Sequence, residues 1–191
     1  YTDVDGIYSA DPRIAKGARR MREITYNEML EMARLGAGVM QPRSVEMGQL
    51  YGIPIHVRST FTSEPGTIIR EEYTVEEKSF IIRGVTHDEH VSKITVLGVS
   101  NTPGVAHRIF SALADANIDV DMIVQSIRSA ESNMTDMVFT VASIDAEEAR
   151  QVVEGISAEI KASAVAIDND VAKISIVGAG MLGNPGIAAR M

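Results

Sequence analysis

An internal repeat is the feature that most constrains how this chain can fold. Residues 91–110 (VSKITVLGVSNTPGVAHRIF) align with residues 171–191 (VAKISIVGAGMLGNPGIAARM). Lys93 lies opposite Lys173, and a Pro-Gly pair follows in both copies after a loop that is two residues longer in the second. A repeated strand–loop–helix segment indicates one supersecondary unit used twice.

The second copy carries Gly178, Gly180 and Gly183 in the pattern G-x-G-x-x-G, which can mark a dinucleotide-binding loop after a strand. The first copy makes the same turn without this pattern. Pro185 also places the start of the next helix beyond the third glycine, which in a dinucleotide-binding loop lies inside the helix. We therefore interpret these glycines as part of a longer loop.

The pattern after residue 80 predicts a ferredoxin-like unit with the order β-α-β-β-α-β. Strands are predicted at residues 92–100, 118–128, 135–142 and 164–167, and helices at residues 103–116 and 145–160. The apolar face of the first helix is formed by Val105, Ala106, Ile109, Phe110 and Leu113. Ser143 or Asp145 is expected to cap the second helix.

The first seventy residues have the pattern of a layered α/β domain. The capping box Thr25–Glu28 predicts a helix over residues 26–35, and Pro42 begins a second helix that ends at Tyr51. Short strands are predicted at residues 53–58 and 67–69, and another at residues 80–85. The acidic stretch 71–79 is expected to be a solvated linker.

Composition narrows the class of protein. The net charge of −8 over 191 residues argues against a nucleic-acid partner, which requires a cationic face. The absence of cysteine excludes disulfides and thiolate metal sites and fits a cytoplasmic protein. No apolar run is long enough to span a membrane. Because the chain begins at Tyr1 without a leader, we expect a piece of a longer protein.

Two polar clusters could bind ligands. In the first, Thr2 and Asp3 are expected at a strand's end, with Tyr8 offering a ring and Arg13 a planar fork aimed by Asp11-Pro12. From the residues alone, a polar loop with an internal Arg–Asp pair is the favoured interpretation. The spacing of the acidic residues does not fit a calcium-binding EF-hand loop.

The second cluster begins at Asn101-Thr102-Pro103-Gly104, where a helix N-terminus suits a carboxylate. Alternation along the next strand is expected to place Asp119, Asp121 and Gln125 on one face, with Val120, Met122 and Val124 facing the core. From the residues alone, a solvated sheet face is the favoured interpretation over a binding site. His87 and His90 are expected in a connecting loop and are not predicted to bind a metal.

The repeated strand-loop-Pro-Gly-helix resembles the ACT domain, a module that binds amino acids. The blocks YTDVDGIYSADPRI (1–14), EMLEMARLGAGVMQPRSVE (28–46) and IPIHVRSTF (53–61) resemble the aspartate kinase family within the amino-acid kinase fold. The resemblance implies the tail of an αβα sandwich over residues 1–70, a first ACT domain over residues 80–168, and the truncated start of a second at residues 169–191.

The resemblance also implies which residues bind ligands. The implied ATP contacts are Thr2, Asp3, Tyr8, Asp11, Arg13, Gly38 and Val39. The implied effector contacts are Asn101, Gly104, Ala106, Asp119, Val120, Asp121 and Gln125. Gly38 stands where the family commonly has a lysine, and Asn101 replaces an aspartate found in some relatives, so a nucleotide contact at residue 38 and the identity of the effector are both open.

The function that the resemblance implies is phosphorylation of aspartate by ATP, feedback-regulated by threonine or lysine bound between the ACT units of paired subunits. The lysine- and glycine-rich motif and any Mg²⁺ ligands would precede Tyr1, so no catalytic residue is expected in this piece and it should be inactive alone. Two alternatives stay open: a non-catalytic regulatory subunit that senses an amino acid, and part of a bifunctional aspartate kinase–homoserine dehydrogenase.

Overall fold

The computed structural model describes residues 2–72, 82–129 and 133–178. The chain divides into two compact units, one formed by Tyr1–Asp88 with Ile174–Met191 and the other by Glu89–Lys173. Gly180 and Gly183 of the glycine pattern, and most of the predicted linker 71–79, lie outside the described residues. Within the described ranges, no helix has both the length and the apolar character needed to cross a membrane.

The strands, in chain order, are β1 (Glu23–Thr25), β2 (Ile55–Val57), β3 (Thr67–Arg70), β4 (Gly84–Asp88), β5 (Val91–Ser100), β6 (Val120–Ser129), β7 (Met134–Ala142), β8 (Ala164–Asp168) and β9 (Lys173–Val177). The helices are α1 (Tyr26–Arg34), α2 (Pro42–Leu50), α3 (Val105–Asp115), α4 (Ala146–Gly155) and α5 (Ser157–Ile160), with a 3-10 turn at Ser143–Asp145 before α4.

Local signals set the helices of the first unit. The hydroxyl of Thr25 accepts a hydrogen bond from the Glu28 amide at 3.3 Å, and the Glu28 carboxylate accepts one from the Thr25 amide at 3.1 Å. This reciprocal pair satisfies two amides that the first helical turn leaves open, so the predicted capping box is confirmed. Pro42 begins α2 as predicted.

The small sheet of the first unit has the order β1-β3-β2. β1 pairs with β3 in parallel, whereas β2 pairs with β3 antiparallel. β2 is shorter than predicted because Ile53 is exposed rather than paired. The sheet and α1 enclose an apolar core, whose fully buried members include Ile7, Ile24, Tyr26, Met29, Val45, Ile69 and Val177.

β4 has an unexpected partner. It forms a two-stranded sheet with β9, and the Arg83 amide donates to the Val177 carbonyl at 2.8 Å. The Val85 amide donates to the Ser9 carbonyl at 2.8 Å. His87 lies within this strand, so its predicted place in a connecting loop is wrong: the pairing with β9 extends the strand to Asp88. The first residues of the predicted strand, 80 and 81, lie outside the described part of the chain.

The second unit has a four-stranded sheet with the order β6-β7-β5-β8, and each described neighbour pair is antiparallel. With α3 after β5 and α4 after β7, this is the ferredoxin-like order predicted from the sequence. The apolar face of α3 is confirmed, since Ile109 and Leu113 are fully buried and Val105, Ala106 and Phe110 pack against the same core.

The second predicted helix differs from expectation. It is interrupted at Ile156, where the Ser157 hydroxyl donates to the Val153 carbonyl at 3.0 Å and competes with the helical pattern. Asp145 occupies the cap position of α4, but its backbone is already helical and its side chain makes no capping hydrogen bond. Because α4 has no side-chain capping hydrogen bond, the predicted cap is wrong. The Ser143 amide donates to the His90 carbonyl.

Register shifts reshape the sheet of the second unit. β5 shifts register between Val96 and Val99, and Gly98 has a φ of 62°. The Asp136 carboxylate accepts from the Gly98 amide at 2.8 Å and so holds this bulge. A second shift lies between Val120 and Ile123 in β6. Each bulge moves the following residues by one position relative to the partner strand.

Candidate functional site

The loop that begins the chain is held by backbone pairing. The Thr2 amide donates to the Arg58 carbonyl at 3.1 Å, and the Thr60 amide donates to the Thr2 carbonyl at 2.8 Å. Thr2 therefore lies beside Ser59, two residues after the end of β2. Its hydroxyl donates to the Asp3 carboxylate at 3.0 Å. This pairing fixes where both side chains enter the candidate site.

Tyr8 lies in a network of charged side chains. Its hydroxyl donates to both Asp5 carboxylate oxygens, at 3.0 and 3.2 Å. The Arg20 guanidinium is 3.5 Å from the Asp5 carboxylate and 2.8 Å from the Glu64 carboxylate. Burial, followed by the hydrogen bond to Asp5, raises the pKa of the Tyr8 phenol above its ordinary value. The Tyr8 phenol therefore stays a hydrogen-bond donor at neutral pH.

Arg13 is paired within its own turn. Its guanidinium donates to the Asp11 carboxylate at 2.7 Å, and its amide donates to the same carboxylate at 2.8 Å. The side-chain bond and then the backbone bond lower the pKa of Asp11 to about 2. The Arg13 side chain is 88% exposed, so an incoming anion can reach it. The structure thus contains the internal Arg–Asp pair favoured from the residues alone.

Gly38 and Val39 lie in the connection between α1 and α2. Val39 packs against the same core as Val4, while Gly38 is exposed. An ideal Cβ placed on Gly38 would meet no described heavy atom within 4 Å. The position therefore has room for the lysine that the sequence comparison with the family leads one to expect. A nucleotide contact at Gly38 or Val39 remains a prediction.

A cavity of about 360 Å³ opens beside the first loop. Its wall is formed by Ser9, Ala10, Ala15, Gly17, Ala18, Arg19, Ile82, Arg83, Gly84 and Val85. Arg83 is the buried charge of this wall, and its guanidinium lies 3.3 Å from the Glu28 carboxylate, with only 5% and 12% of the two side chains exposed. Sequence reasoning missed this pair because no local pattern connects residues so far apart.

The helix α3 begins after a glycine with a left-handed backbone. Gly104 has a φ of 95°, and an ideal Cβ there would meet no described heavy atom within 4 Å. Glycine is therefore needed for its left-handed backbone and not for space. The Asn101 amide donates to the Asn133 carbonyl at 3.0 Å, and the Gln125 amide group lies 3.4 Å from the Asn101 side-chain oxygen. Ala106 packs against the core.

The predicted faces of β6 hold at Val120, which packs against the core, but are wrong beyond it. The bulge after Val120 breaks simple alternation, so Gln125 pairs opposite the buried Met137 and shares its side of the sheet. Met122 and Val124 are 47% and 48% exposed because β6 is an outer strand of the sheet. Alternation from Asp119 to Gln125 is therefore not maintained, although Asn101 and Gln125 do come together.

Asp121 already has a cationic partner. Its exposed carboxylate forms an ion pair with the ammonium of Lys173, whose side chain is largely buried. Asp119 is exposed and Val120 is half-buried. Across the described ranges, no three histidine or acidic side chains come close enough together to hold a metal ion. The second cluster is thus a polar surface around Asn101, with one carboxylate bound to an internal ammonium.

Comparisons with known proteins identify a different family in each half of the chain. Residues 1–59 match the amino acid kinase family and residues 94–155 match an ACT domain. The chain is 44% identical over 191 residues to an aspartokinase of Bacillus sp. strain MGA3, covering all of this chain and 46% of the relative. The chain thus spans about half the length of the curated relatives it matches.

The chain is also similar to solved structures of aspartate kinases. Aspartate kinase from Clostridium acetobutylicum, 23% identical, shares the fold with a TM-score of 0.83 over 99% of this chain and 43% of its own. A structure of aspartokinase alpha and beta subunits is 38% identical, with a TM-score of 0.52, and the match covers 57% of this chain and 70% of that one. The amino acid kinase match precedes the ACT match, as expected, and the 38% identity covers 70% of the aspartokinase subunit. The chain therefore belongs to the aspartate kinase family.

Proposed function

We propose that the protein containing this chain transfers the γ-phosphoryl group of ATP to the side-chain carboxylate of aspartate, forming 4-phospho-L-aspartate. The observation that carries this proposal is the similarity to aspartokinase over all 191 residues, with an amino acid kinase match followed by an ACT match. In this proposal residues 1–70 supply part of the nucleotide site, and residues outside this chain supply the remaining phosphate and aspartate contacts.

The described residues suggest how the nucleotide would be bound. The ring of Tyr8 offers a flat surface for the base. Arg13 can exchange Asp11 for phosphate oxygens because its guanidinium is charged and exposed. Thr2 and Asp3 lie at the end of a strand, where open α/β sheets bind ligands. ATP carries Mg²⁺, which would neutralise phosphate charge, and the protein ligands of this ion are proposed to lie outside this chain.

A direct assay tests the proposed reaction. The full-length protein is incubated with ATP, Mg²⁺ and aspartate, and the acyl phosphate is trapped with hydroxylamine while ADP is measured in parallel. We expect ADP and the trapped product to form in equal amounts and only with aspartate, with glutamate as the control substrate. ADP formation that does not depend on aspartate would contradict the proposal.

One observation favours a second candidate, a non-catalytic regulatory subunit. The match to the structure of aspartokinase alpha and beta subunits covers 70% of that chain but only part of this one. A regulatory subunit would bind an amino acid and associate with a separate catalytic chain. The same assay distinguishes the two candidates, because a regulatory subunit purified alone would form no trapped product.

The effector is proposed to be an amino acid, threonine or lysine, bound by the second unit near Asn101, Asp119, Asp121 and Gln125. Gly104 provides no side-chain cap to α3, so a ligand carboxylate can approach the first helical turn. The ligand ammonium would pair with Asp121 in place of Lys173. Regulation requires that the effector binds the active and inactive states with different affinities.

Subunit pairing is proposed to occur through the ACT units, either between copies of this chain or between catalytic and regulatory chains. β6 is an outer strand with Met122, Ile123 and Val124 exposed. An uncovered outer strand with apolar side chains is suited to pairing with another strand. Changing Ile123 to lysine in the full-length protein and measuring its mass in solution would test this arrangement.

We expect Asp121→Ala to raise the effector concentration for half-inhibition by about 3- to 10-fold, because one charged hydrogen bond to the ligand is lost at an exposed site. Lys173→Met should shift it in the opposite direction, since the Asp121 carboxylate is then available to the ligand. Glu159→Ala, which breaks an exposed pair with Arg108 in the same unit, is the control. Inhibition unchanged in both Asp121 and Lys173 variants would place the effector elsewhere.

We expect Gly38→Lys to lower the KM for ATP about 3- to 10-fold, because it adds a cation near the phosphates at a position with free space. Gly17→Lys is the matched control, since Gly17 also has no described atom within 4 Å of an ideal Cβ. An equal change of KM in both variants would indicate a general effect of charge and not a contact at residue 38.

A further inference from the structure

The Tyr8 hydroxyl is already committed to a partner inside the protein. It donates to both oxygens of Asp5, three residues earlier, at 3.0 and 3.2 Å. A phenol has one proton to donate, so this bond occupies its donor. The part of Tyr8 that remains for a ligand is the ring, whose orientation is set by where the hydroxyl is held.

Asp5 is itself fixed by charge. The Arg20 guanidinium lies between the Asp5 and Glu64 carboxylates, at 3.5 and 2.8 Å. Tyr8 and Arg20 face each other in an antiparallel bridge. On either side of this bridge the Ser9 amide donates to the Arg19 carbonyl and the Met21 amide to the Ile7 carbonyl, each at 2.8 Å. The backbone therefore brings Arg20 alongside Tyr8 and Asp5.

The side chain of Arg20 packs closely against Gly6, and this packing restricts where the Arg20 stem can lie. Gly6 has a φ of 145°, and an ideal Cβ there would lie 2.9 Å from the Arg20 Cδ and 2.7 Å from the Thr67 hydroxyl. Thr67 in turn accepts from the Ile7 amide and donates to the Met21 carbonyl. The stem of Arg20 thus lies against a backbone that is hydrogen-bonded on both sides, so the charge that holds Asp5 is fixed in position.

We propose that Asp5 is a positioning residue for nucleotide binding, which holds the Tyr8 ring in the orientation that stacks on the base. The inference rests on the proposed ATP site and adds to it a residue that makes no contact with ATP itself. A ring that is fixed before binding loses less conformational freedom when the ligand arrives. Asp5 would therefore act on nucleotide affinity and leave aspartate binding unaffected.

The test measures ADP affinity and the KM values for ATP and aspartate in the full-length protein. We expect Asp5→Ala and Tyr8→Phe each to weaken ADP binding about 2- to 10-fold, the range expected for fixing one side chain. The double variant should be no weaker than either single variant, because both remove the same bond. Asp5→Asn keeps an acceptor for the hydroxyl and should restore most of the affinity.

The controls separate this inference from the proposed function. Glu46→Ala breaks an exposed pair with Arg34 in the same unit and should change neither KM. Tyr8→Leu removes the ring and should weaken ADP binding more than Tyr8→Phe does. If Tyr8→Leu leaves ADP affinity unchanged, the proposed nucleotide contact is wrong. If Tyr8→Leu weakens binding but losses in Asp5→Ala and Tyr8→Phe are additive, or Asp5→Ala has no effect, the positioning role is wrong.

Discussion

Replacing Glu28 by alanine is expected to lower the free energy of unfolding of the first unit by about 3 to 5 kcal/mol. The Glu28 carboxylate serves both the amide of Thr25 and the guanidinium of Arg83, and both members of the ion pair are nearly buried. Its removal leaves the Arg83 guanidinium, whose side chain is only 5% exposed, without this carboxylate. The loss of the capping box adds about 1 kcal/mol of destabilisation.

Two further variants separate these contributions. Glu28→Gln preserves the capping geometry, since glutamine also serves at this position, but removes the charge that faces Arg83. Glu46→Ala removes an exposed partner of Arg34 and should change stability by less than about 1 kcal/mol. Urea denaturation of the full-length variants measures the effect. A loss for Glu28→Ala no larger than that for Glu46→Ala would show that the buried pair is not stabilising.

Gly66→Ala is expected to destabilise the first unit by about 2 to 5 kcal/mol. Gly66 has a φ of 78°, a left-handed backbone that disfavours alanine by about 1 to 2 kcal/mol. In addition, an ideal Cβ would lie 2.2 Å from the Val57 carbonyl oxygen, so the backbone itself would have to move. Such overpacking typically adds about 1 to 3 kcal/mol.

Gly52→Ala provides the matched control for Gly66. Gly52 has a φ of 62°, but an ideal Cβ there meets no described atom within 4 Å, so only the backbone penalty applies. The turn at Gly66 also carries Glu64, which contacts Arg20, so the KM for ATP should rise in Gly66→Ala and not in Gly52→Ala. Equal denaturation midpoints for the two variants would contradict the steric argument.

The elements that the sequence predicted correctly are those with local causes. The capping box at Thr25 and the proline at residue 42 act within one helical turn, so the starts of α1 and α2 could be read directly. The alternation in β5 and β7 was clear because both are inner strands with one face against helices. Their order then led to the ferredoxin-like sheet.

The predictions that were wrong concern strand pairs far apart in the chain and bulges within strands. The partner of β4 is β9, far along the chain, and no local pattern identifies such a pair. The bulge in β6 interrupts the alternation that was expected to place Asp121 and Gln125 on one face of the strand. Gly98 in the middle of a strand could have indicated the bulge in β5, since glycine there often marks one. The Tyr8–Asp5–Arg20 network connects two stretches of chain through an ion pair. No sequence pattern predicts that these two stretches contact each other.

The pairing of β4 with β9 has a consequence for how the protein can be altered. Residues 89–172 lie between these two strands, so this segment is an insertion whose two connections both lead into the two-stranded β4–β9 sheet. Insertions of this kind are exchangeable modules, since the host sheet is unchanged when the segment is replaced. Replacing residues 89–172 by the same segment of a relative should therefore transfer the proposed effector preference of that relative.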